Sequence, residues 1–221
     1  KIQQAVFAGF VFIFDPIRLE VEQTIKVARR AGIHVVMITG DHAHTAEAIG
    51  NKLGLSGKNQ KICTGSDIDK LSDDELAEKV KHVTVFARVE PLHKIRIVRA
   101  FQANDEVVAM TGDGINDAPA IKGADIGIAL GSGTDVAKGA ASLILLDNNF
   151  QVINNAIEQG RVIYDNIKKV ILYLLSDSFS EIVIIFGSLF MGLPIPLVPA
   201  QILWINLVTD GFPDMALTIE P

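Results

Sequence analysis

The sequence predicts a Rossmann-like α/β domain, in which helices cover both faces of a parallel sheet, followed by an α-helical transmembrane hairpin. Over the first two-thirds of the chain, short β-branched runs alternate with stretches of helical periodicity, as expected of strands linked by crossover helices. Two Thr-Gly-Asp turns, at 39–41 and 111–113, follow predicted strands. The segment 182–209 contains no Asp, Glu, Lys or Arg, which is typical of a membrane-embedded stretch.

The individual elements follow from hydrophobic spacing and from residues that start or end helices. Apolar β-prone runs predict strands at 6–14, 33–38, 83–87, 106–110, 125–130 and 142–146. Helical spacing predicts helices at 19–32, 44–54, 73–80 and 91–102. The first of these helices ends at Gly32, and the last has Pro91 in its first turn.

The apolar end of the chain predicts two membrane spans. Pro194, Pro196 and Pro199 interrupt the uncharged segment, so two helices at about 165–192 and 198–217 fit better than one long helix. We therefore expect two domains, residues 1–155 and residues 156–221. The alternative is a helical hairpin buried in a large soluble core.

Composition narrows the class of protein further. The chain has 221 residues, of which 49% are hydrophobic, and a mean hydropathy of +0.33. Its net charge of −6 argues against nucleic acid as a partner. The single cysteine, Cys63, excludes an internal disulfide framework and fits a reducing compartment. Because the sequence begins at Lys1 with no signal-peptide pattern, we expect it to be a fragment of a longer protein.

Polar side chains at the predicted strand ends suit phosphoryl transfer. In a parallel sheet the carboxyl ends of the strands meet at one edge, where chemistry gathers. Asp113 and Asp117 offer hard oxygen ligands of the kind that Mg²⁺ prefers. Thr39 and the Gly40 amide can donate to phosphate oxygens, and Lys94 supplies a compact positive charge.

A nucleophile for this chemistry is missing from the pattern. Asp15 is the nearest candidate, at the end of the first predicted strand. It lacks the expected threonine-and-glycine turn, and Pro16 indicates a rigid structural bend instead.

Four stretches give the chain a specific family resemblance. TGDGINDAPAIKGADIGIAL (111–130) resembles the hinge motif of P-type cation-transporting ATPases, which are haloacid-dehalogenase-like phosphotransferases. FDPIRLEV, MITGDHAHTAEAIG and ARVEPLHKIRIV are similar to further stretches of that family, in the same order. The resemblance implies that residues 1–155 are the C-terminal part of a haloacid-dehalogenase-type phosphorylation domain. Residues 156–221 would then be a stalk with the fifth and sixth membrane helices.

The same resemblance implies roles for single residues around ATP and Mg²⁺. Asp113 binds Mg²⁺, with Asp117 supporting the site. The implied phosphoryl contacts are Thr39, Gly40 and Lys94, with Asn116 holding the loop near the phosphate, and the implied nucleotide contacts are Arg88 and Asp41. The family's nucleophilic aspartate lies in a DKTGT motif that this sequence does not contain. We therefore expect the remaining domains of the parent protein as partners, and no aspartyl phosphate on this chain alone.

Acidic residues within the predicted spans indicate a cation path. Asp177 and Glu181 are four residues apart and share a helix face, and Asn206 and Asp210 repeat that spacing. A charge at mid-membrane costs roughly 2.5–3.5 kcal/mol on insertion scales, so such a residue usually faces a partner or an ion. The alternative places Asp177 and Asp210 in water at the membrane interface. Gly211 and Pro213 are expected to unwind the helix after Asp210 and free carbonyl oxygens.

QILWINLVTDGFPDMAL (201–217) resembles the sixth membrane helix of calcium pumps. This resemblance implies that the ion ligands include Asn206, Thr209, Asp210 and Glu181. Ser178 stands where both calcium and sodium pumps carry asparagine, so Ser178 and the neighbouring Asp177 are further candidates. Ca²⁺ is the expected cargo, and Na⁺, H⁺ and Mn²⁺ remain open.

The leading interpretation is therefore a part of an ATP-driven cation pump in a lipid bilayer. We expect a multi-pass membrane protein with its phosphorylation domain in the cytoplasm, because Arg161, Lys168 and Lys169 precede the first span. Two other classes stay open: a stand-alone phosphatase of the same superfamily, and a non-catalytic membrane paralogue that acts as a binding subunit.

Overall fold

The structure is a computed structural model that describes residues 8–9, 16–56 and 62–220. The chain divides into two compact units, Lys1–Asn154 and Asn155–Pro221. Except for Ala8 and Gly9, the predicted first strand lies outside the described residues, as does Asp15.

The first unit contains six short strands and seven helices in its described part. The strands are β1 (Met37–Ile38), β2 (Cys63–Thr64), β3 (Val85–Ala87), β4 (Ala109–Gly112), β5 (Ile126–Leu130) and β6 (Leu143–Leu145). The helices are α1 (Leu19–Arg30), α2 (Ala43–Lys52), α3 (Gly65–Ile68), α4 (Asp73–Val80), α5 (Pro91–Gln102), α6 (Ala118–Gly123) and α7 (Asp135–Ala140), with a 3₁₀ turn at Ile115–Asp117.

Every strand pairing among the described residues is parallel. The strands form two three-stranded sheets in the orders β1-β3-β2 and β4-β5-β6. Met37 pairs with Val85 in the first sheet, and Thr111 pairs with Ile128 in the second. The predicted α/β class with parallel strands is confirmed, although the described strands make two sheets where one was expected.

Helices pack on both faces of the first sheet because successive side chains of β3 point to opposite sides. Phe86 joins a core with residues of α4 and α5, whereas Val85 joins a core with residues of α1 and α2. On α5, Ile97 belongs to the first of these cores and Val98 to the core of the second sheet. Helix α5 is therefore shared by the cores of both sheets.

Predicted and observed boundaries agree for two helices with explicit start signals, whereas α1 ends at Arg30, two residues before the predicted end at Gly32. Helices α4 and α5 have the predicted limits. Ser72 and Glu75 form a capping box before α4, with the Ser72 amide donating to Glu75 Oε2 at 2.8 Å. Pro91 starts α5. The predicted strand 106–110 instead begins at Ala109, because the Val108 amide donates to the Asp125 carboxylate at 2.8 Å rather than to a neighbouring strand.

The second unit consists of a long helix and an interrupted helical segment. Helix α8 spans Gln151–Phe190, and it is the one helix in the described residues long and apolar enough to cross a membrane. The predicted second span is not one regular helix. It comprises α9 (Pro199–Trp204), a π-helical turn (Ile205–Thr209) and α10 (Gly211–Ile219).

Polar contacts of α8 tie it to the end of α10. Asn166 is 5% exposed, and its side-chain amide donates to the Glu220 carbonyl at 2.5 Å. Lys169 donates to the Glu220 carboxylate at 2.5 Å. A buried amide needs such partners, so these contacts fix where α8 and α10 meet.

We predict that Ile97→Ala lowers the free energy of unfolding by about 2–5 kcal/mol, because it removes buried methyl groups from a close-packed core. Leu92→Ala is the matched control, since Leu92 lies on the same helix and is 72% exposed; its effect should stay within about 0.5 kcal/mol. Urea unfolding of the detergent-solubilised chain, followed by circular dichroism, measures both. Equal effects of the two substitutions would contradict the described core.

We predict that Asp67 contributes an acid-sensitive part of the stability. The Thr64 hydroxyl and the Thr64 amide both donate to its carboxylate, at 2.7 and 2.9 Å, and hold its pKa below the usual value. Because the pKa is lower in the folded state, the stabilisation is complete above about pH 4 and is lost as the pH falls through the folded-state pKa.

Asp67→Asn should therefore flatten the pH dependence of unfolding between about pH 4 and pH 2. Glu47→Gln serves as the control, since Glu47 is an exposed acid of α2. Urea unfolding over this pH range checks the prediction, and identical slopes for wild type and Asp67→Asn would disprove it.

Candidate functional site

The loop after β1 presents the first Thr-Gly-Asp turn. The Thr39 hydroxyl donates to Asp41 Oδ2 at 2.9 Å and accepts a hydrogen bond from the Asp41 amide at 3.1 Å. No hydrogen bond within the described residues uses the Gly40 amide. The loop leads directly into α2, whose first-turn N–H groups add partial positive charge. The turn is therefore a compact donor site suited to an anion.

The loop after β3 is held against this turn by two backbone hydrogen bonds. The Val89 amide donates to the Thr39 carbonyl at 3.1 Å, and the Arg88 amide donates to the Asp41 carbonyl at 3.0 Å. Arg88 has a positive φ of 54°, and its guanidinium contacts the His42 ring. A Cβ on Gly65 would lie 2.3 Å from the Arg88 carbonyl oxygen, so only glycine fits beneath this loop.

Helix α5 follows the β3 loop and places the Lys94 side chain next to the loop after β4. Its first turn is fixed by His93, which is 7% exposed. The Nδ1 atom of His93 accepts from the Glu90 amide at 3.1 Å, so Nε2 carries the proton and donates to Asp69 at 2.8 Å. One residue on, Lys94 donates to Asp117 Oδ1.

Asp117 holds the loop after β4 in place through hydrogen bonds to the loop backbone. It is 8% exposed, and its Oδ2 accepts from the amides of Gly114 and Asp113 at 3.1 and 3.3 Å. A Cβ on Gly112 would lie 2.5 Å from Asp117 Cβ, which explains the glycine at the end of β4. With Lys94 at its other oxygen, the Asp117 carboxylate is engaged by the protein on both sides.

Asp113, by contrast, presents an exposed carboxylate to which no described residue hydrogen-bonds. Its backbone is fixed, because its carbonyl accepts from the Thr134 amide at 2.9 Å. A free carboxylate on a rigid loop, beside a second carboxylate that supports it, fits Mg²⁺, which binds through one or two carboxylates and keeps several waters.

The Thr134 contact is a part of the site that the sequence reasoning missed. Gly133 lies so close to the same loop that a Cβ there would be 3.1 Å from Asp113 Cα. The sequence feature that could have indicated this contact is the run of small residues GSGT (131–134), which directly follows β5. Small residues after a strand permit such a close approach of two loops.

The predicted phosphoryl-site residues fall into two connected groups. Thr39, Gly40 and Asp41 lie against Arg88 through backbone contacts, and Lys94 lies against Asp117 beside Asp113. Both groups are attached to α5, one at the residues preceding its first turn and one at Lys94. Asn116 lies in the 3₁₀ turn between the two aspartates, and its side chain is exposed.

In the second unit, Asp210 is the most buried of the predicted ion ligands. It is 3% exposed, and the Tyr173 hydroxyl donates to its Oδ1 at 3.1 Å. Asp177 and Glu181 are half-buried on the same face of α8, as their spacing predicts. Ser178, Asn206 and Thr209 are exposed on the surface of this pair of segments.

The sequence patterns did not identify Tyr173 as a site residue, although it precedes Asp177 by four residues and so shares its helix face. Across the described residues, no three His, Cys, Asp or Glu side chains are grouped so as to hold a metal ion by themselves. Further oxygens, such as those of amides, hydroxyls or carbonyls, would have to complete an ion site at Asp210.

The sequence predicts an unwound helix after Asp210. The structure instead places the irregular turn before Asp210, and that prediction is wrong. The Asp210 amide donates to the Ile205 carbonyl at 3.1 Å, five residues back, and so closes a π-helical turn. The helix resumes at Gly211. Pro213 has no N–H and cannot donate to the Thr209 carbonyl four residues earlier.

Family models match both units. A model described as haloacid dehalogenase-like hydrolase matches residues 3–125, more than half of the chain. This chain belongs to the haloacid dehalogenase-like hydrolase family. A second haloacid dehalogenase-like model matches residues 94–157, and a model described as cation transporting ATPase, C-terminus, matches residues 194–221.

Relatives of this haloacid dehalogenase-like chain confirm its resemblance to cation-transporting ATPases. It is 55% identical over 213 residues to a calcium-transporting ATPase of Bacillus subtilis, with 96% of this chain and 24% of the relative covered. It is 49% identical to an endoplasmic reticulum calcium ATPase of Aspergillus fumigatus, covering 96% and 22%. The chain thus spans about a quarter of the length of these relatives.

A solved structure is similar in fold to most of this chain. The crystal structure of a zinc-transporting PIB-type ATPase in an E2.Pi state matches with a TM-score of 0.63 and 27% identity. The match covers 92% of this chain and 27% of that one. Structural similarity at this level extends over nearly the whole sequence.

We predict that Gly112→Ala lowers the free energy of unfolding by about 1–3 kcal/mol, because the new methyl group would displace the Asp117 side chain from its three hydrogen-bond donors. Gly139→Ala is the control, since a Cβ at that helical position meets no atom within 4 Å. Urea unfolding of both variants measures the difference. A Gly112→Ala protein as stable as Gly139→Ala would contradict the described packing.

Proposed function

We propose that this chain is part of an ATP-driven cation pump that works through an aspartyl-phosphate intermediate, with Ca²⁺ as the transported ion. One observation carries the proposal: the same chain holds a braced aspartate loop suited to Mg²⁺ and a buried aspartate in an apolar helical segment. The calcium-transporting relatives at 49–55% identity support the choice of ion.

At the phosphoryl end, Asp113 is proposed to hold Mg²⁺ and Asp117 to position the loop. When bound, Mg²⁺ neutralises negative charge on the phosphoryl oxygens. Lys94, held by Asp117, keeps its other ammonium protons for a phosphoryl oxygen. Thr39 and the Gly40 amide donate to the same group, while Asn116 holds the loop near it.

ATP is the proposed phosphoryl donor, and Arg88 and Asp41 are the proposed nucleotide contacts. Arg88 suits this role because its backbone is fixed by the Asp41 carbonyl and by the close approach of Gly65. The attacking aspartate would come from the remaining domains of the parent protein, which are the proposed partners. The chain alone should therefore not turn over ATP.

At the other end, the chain is proposed to span the membrane more than once, with the first unit in the cytoplasm. Apolar side chains such as Leu172, Phe179 and Phe186 are exposed along α8, which is costly in water but favourable in lipid. Arg161, Lys168 and Lys169 precede the apolar part of α8 and mark its cytoplasmic side.

The proposed ion ligands are oxygen donors from α8 and from the segment around the π-helical turn. They are Glu181, Asn206, Thr209 and Asp210, with Asp177 and Ser178 as further contributors. Carboxylate, amide and hydroxyl oxygens in a flexible arrangement suit Ca²⁺, which takes six to eight of them.

The proposal predicts that the full-length parent protein forms a phosphoenzyme from ATP only when Ca²⁺ is present in the micromolar range. Asp210→Asn should abolish this Ca²⁺-dependent phosphorylation, because it removes a buried charged ligand. Phosphoenzyme formation from labelled ATP, titrated with Ca²⁺ in chelator-buffered solution, is the measurement.

Asp165→Asn is the matched control, since Asp165 is an exposed acid on α8 and should leave the titration unchanged. Phosphorylation of the wild type at full level without Ca²⁺ would retain the phosphoryl chemistry but reject Ca²⁺ as the cargo. Unchanged Ca²⁺ activation of Asp210→Asn would remove Asp210 from the ligand set.

A further inference from the structure

The second unit contains one acid with no role so far, Asp214. It lies four residues after Asp210, so the two share a face of the second segment, as Asp177 and Glu181 do on α8. The Asp214 amide donates to the Asp210 carbonyl at 3.0 Å, which places Asp214 in the regular helix that follows the π-helical turn.

Each of these four acids has a buried carboxyl oxygen without a hydrogen-bond partner among the described residues. The atoms are Asp177 Oδ2, Glu181 Oε1, Asp210 Oδ2 and Asp214 Oδ1. Asp210 is the most buried of the four, at 3% exposure, and no N–H or O–H group of the described Tyr, Ser, Thr, amide or backbone donors reaches its second oxygen. A buried carboxylate oxygen left without a donor is costly, which points to a ligand that the protein does not itself supply.

Asp214 belongs to the same interior as the other acids. The Tyr173 hydroxyl, which donates to Asp210, lies within electrostatic range of both Asp177 and Asp214. Asp177 in turn lies beside the carboxyl groups of Asp210 and Glu181. Acidic groups of α8 and of the second segment therefore lie near the Tyr173 hydroxyl.

Basic residues are absent from the stretch of sequence around these acids. The sequence from 170 to 219 contains no Lys, Arg or His. Lys169, the basic residue next to that stretch, donates to Glu220 and Asn166. A simple helix-end role does not account for Asp214 either, because no backbone amide among the described residues donates to its carboxylate.

We propose that Asp214 is a cation-binding residue, which contributes a carboxylate oxygen to a Ca²⁺ ion held at Asp210. The proposal rests on the proposed function and extends its ligand set by one turn of helix. Ca²⁺ tolerates irregular arrangements of oxygens, and its affinity rises with the number of charged ligands. A carboxylate at Asp214 would thus add a charged ligand to a site in which Asn206 and Thr209 supply neutral oxygens.

The test uses the full-length parent protein in membranes, as wild type, Asp214→Asn and the exposed-acid control Asp165→Asn. Equilibrium binding of radiolabelled Ca²⁺ and Ca²⁺-dependent phosphorylation by ATP are measured for each. Asp214→Asn should need about tenfold more Ca²⁺ for half-saturation in both assays, whereas Asp165→Asn should match the wild type. Phosphorylation by inorganic phosphate without Ca²⁺ should be equal in all three and shows that the phosphorylation domain is folded.

Two other outcomes separate the possible failures. If the wild type binds Ca²⁺ and Asp214→Asn binds it equally well, the role of Asp214 is rejected and the proposed function stands. The same rejection follows if Asp214→Asn loses phosphorylation by both ATP and inorganic phosphate but keeps the wild-type affinity in equilibrium Ca²⁺ binding, since Asp214 would then only stabilise the helix. If the wild type binds no Ca²⁺, both proposals fail.

Discussion

The ion pair between Lys94 and Asp117 is the contact on which the arrangement of the proposed phosphoryl site depends. Both side chains are largely buried, at 16% and 12% exposure, so their charges interact with little screening by solvent. The pair joins α5 to the loop after β4. Because the residues just before α5 are bound to the Thr39 turn, one helix sets the positions of both Thr-Gly-Asp loops. Losing either side chain would leave the other buried charge without its ion-pair partner.

Three glycines permit the close approaches of the chain around this ion pair and the neighbouring loops. Gly112 gives the Asp117 side chain its space, and Gly65 lets the Arg88 backbone approach α3. Gly133 permits the loop after β5 to contact the Asp113 backbone. The exposed Asp113 carboxylate is therefore carried on a backbone that is fixed from several directions, which is what a metal ligand requires to act without reorganisation.

In the second unit, the buried polar groups Asn166 and Asp210 lie in largely apolar segments. The Tyr173 hydroxyl satisfies one oxygen of Asp210 and leaves the other open. Nearer the start of α8, the Asn166 amide has both of its N–H partners in backbone carbonyls at the end of α10. The first arrangement leaves a buried carboxylate oxygen without a donor, in keeping with the proposed ion site, whereas the second is satisfied within the chain.

The sequence by itself determined the α/β class, the limits of α4 and α5, and the family to which the chain belongs. It could do so because capping residues, apolar spacing and the TGDGINDAPA motif act over a few neighbouring residues. Only the tertiary structure decided that the Asp117 carboxylate faces Lys94 and two backbone amides while the Asp113 carboxylate stays free. Tertiary contacts likewise moved the start of β4 to Ala109 and brought Tyr173 to Asp210. Such contacts join residues far apart in the chain, and no local pattern of side chains specifies which of two neighbouring carboxylates will find a partner.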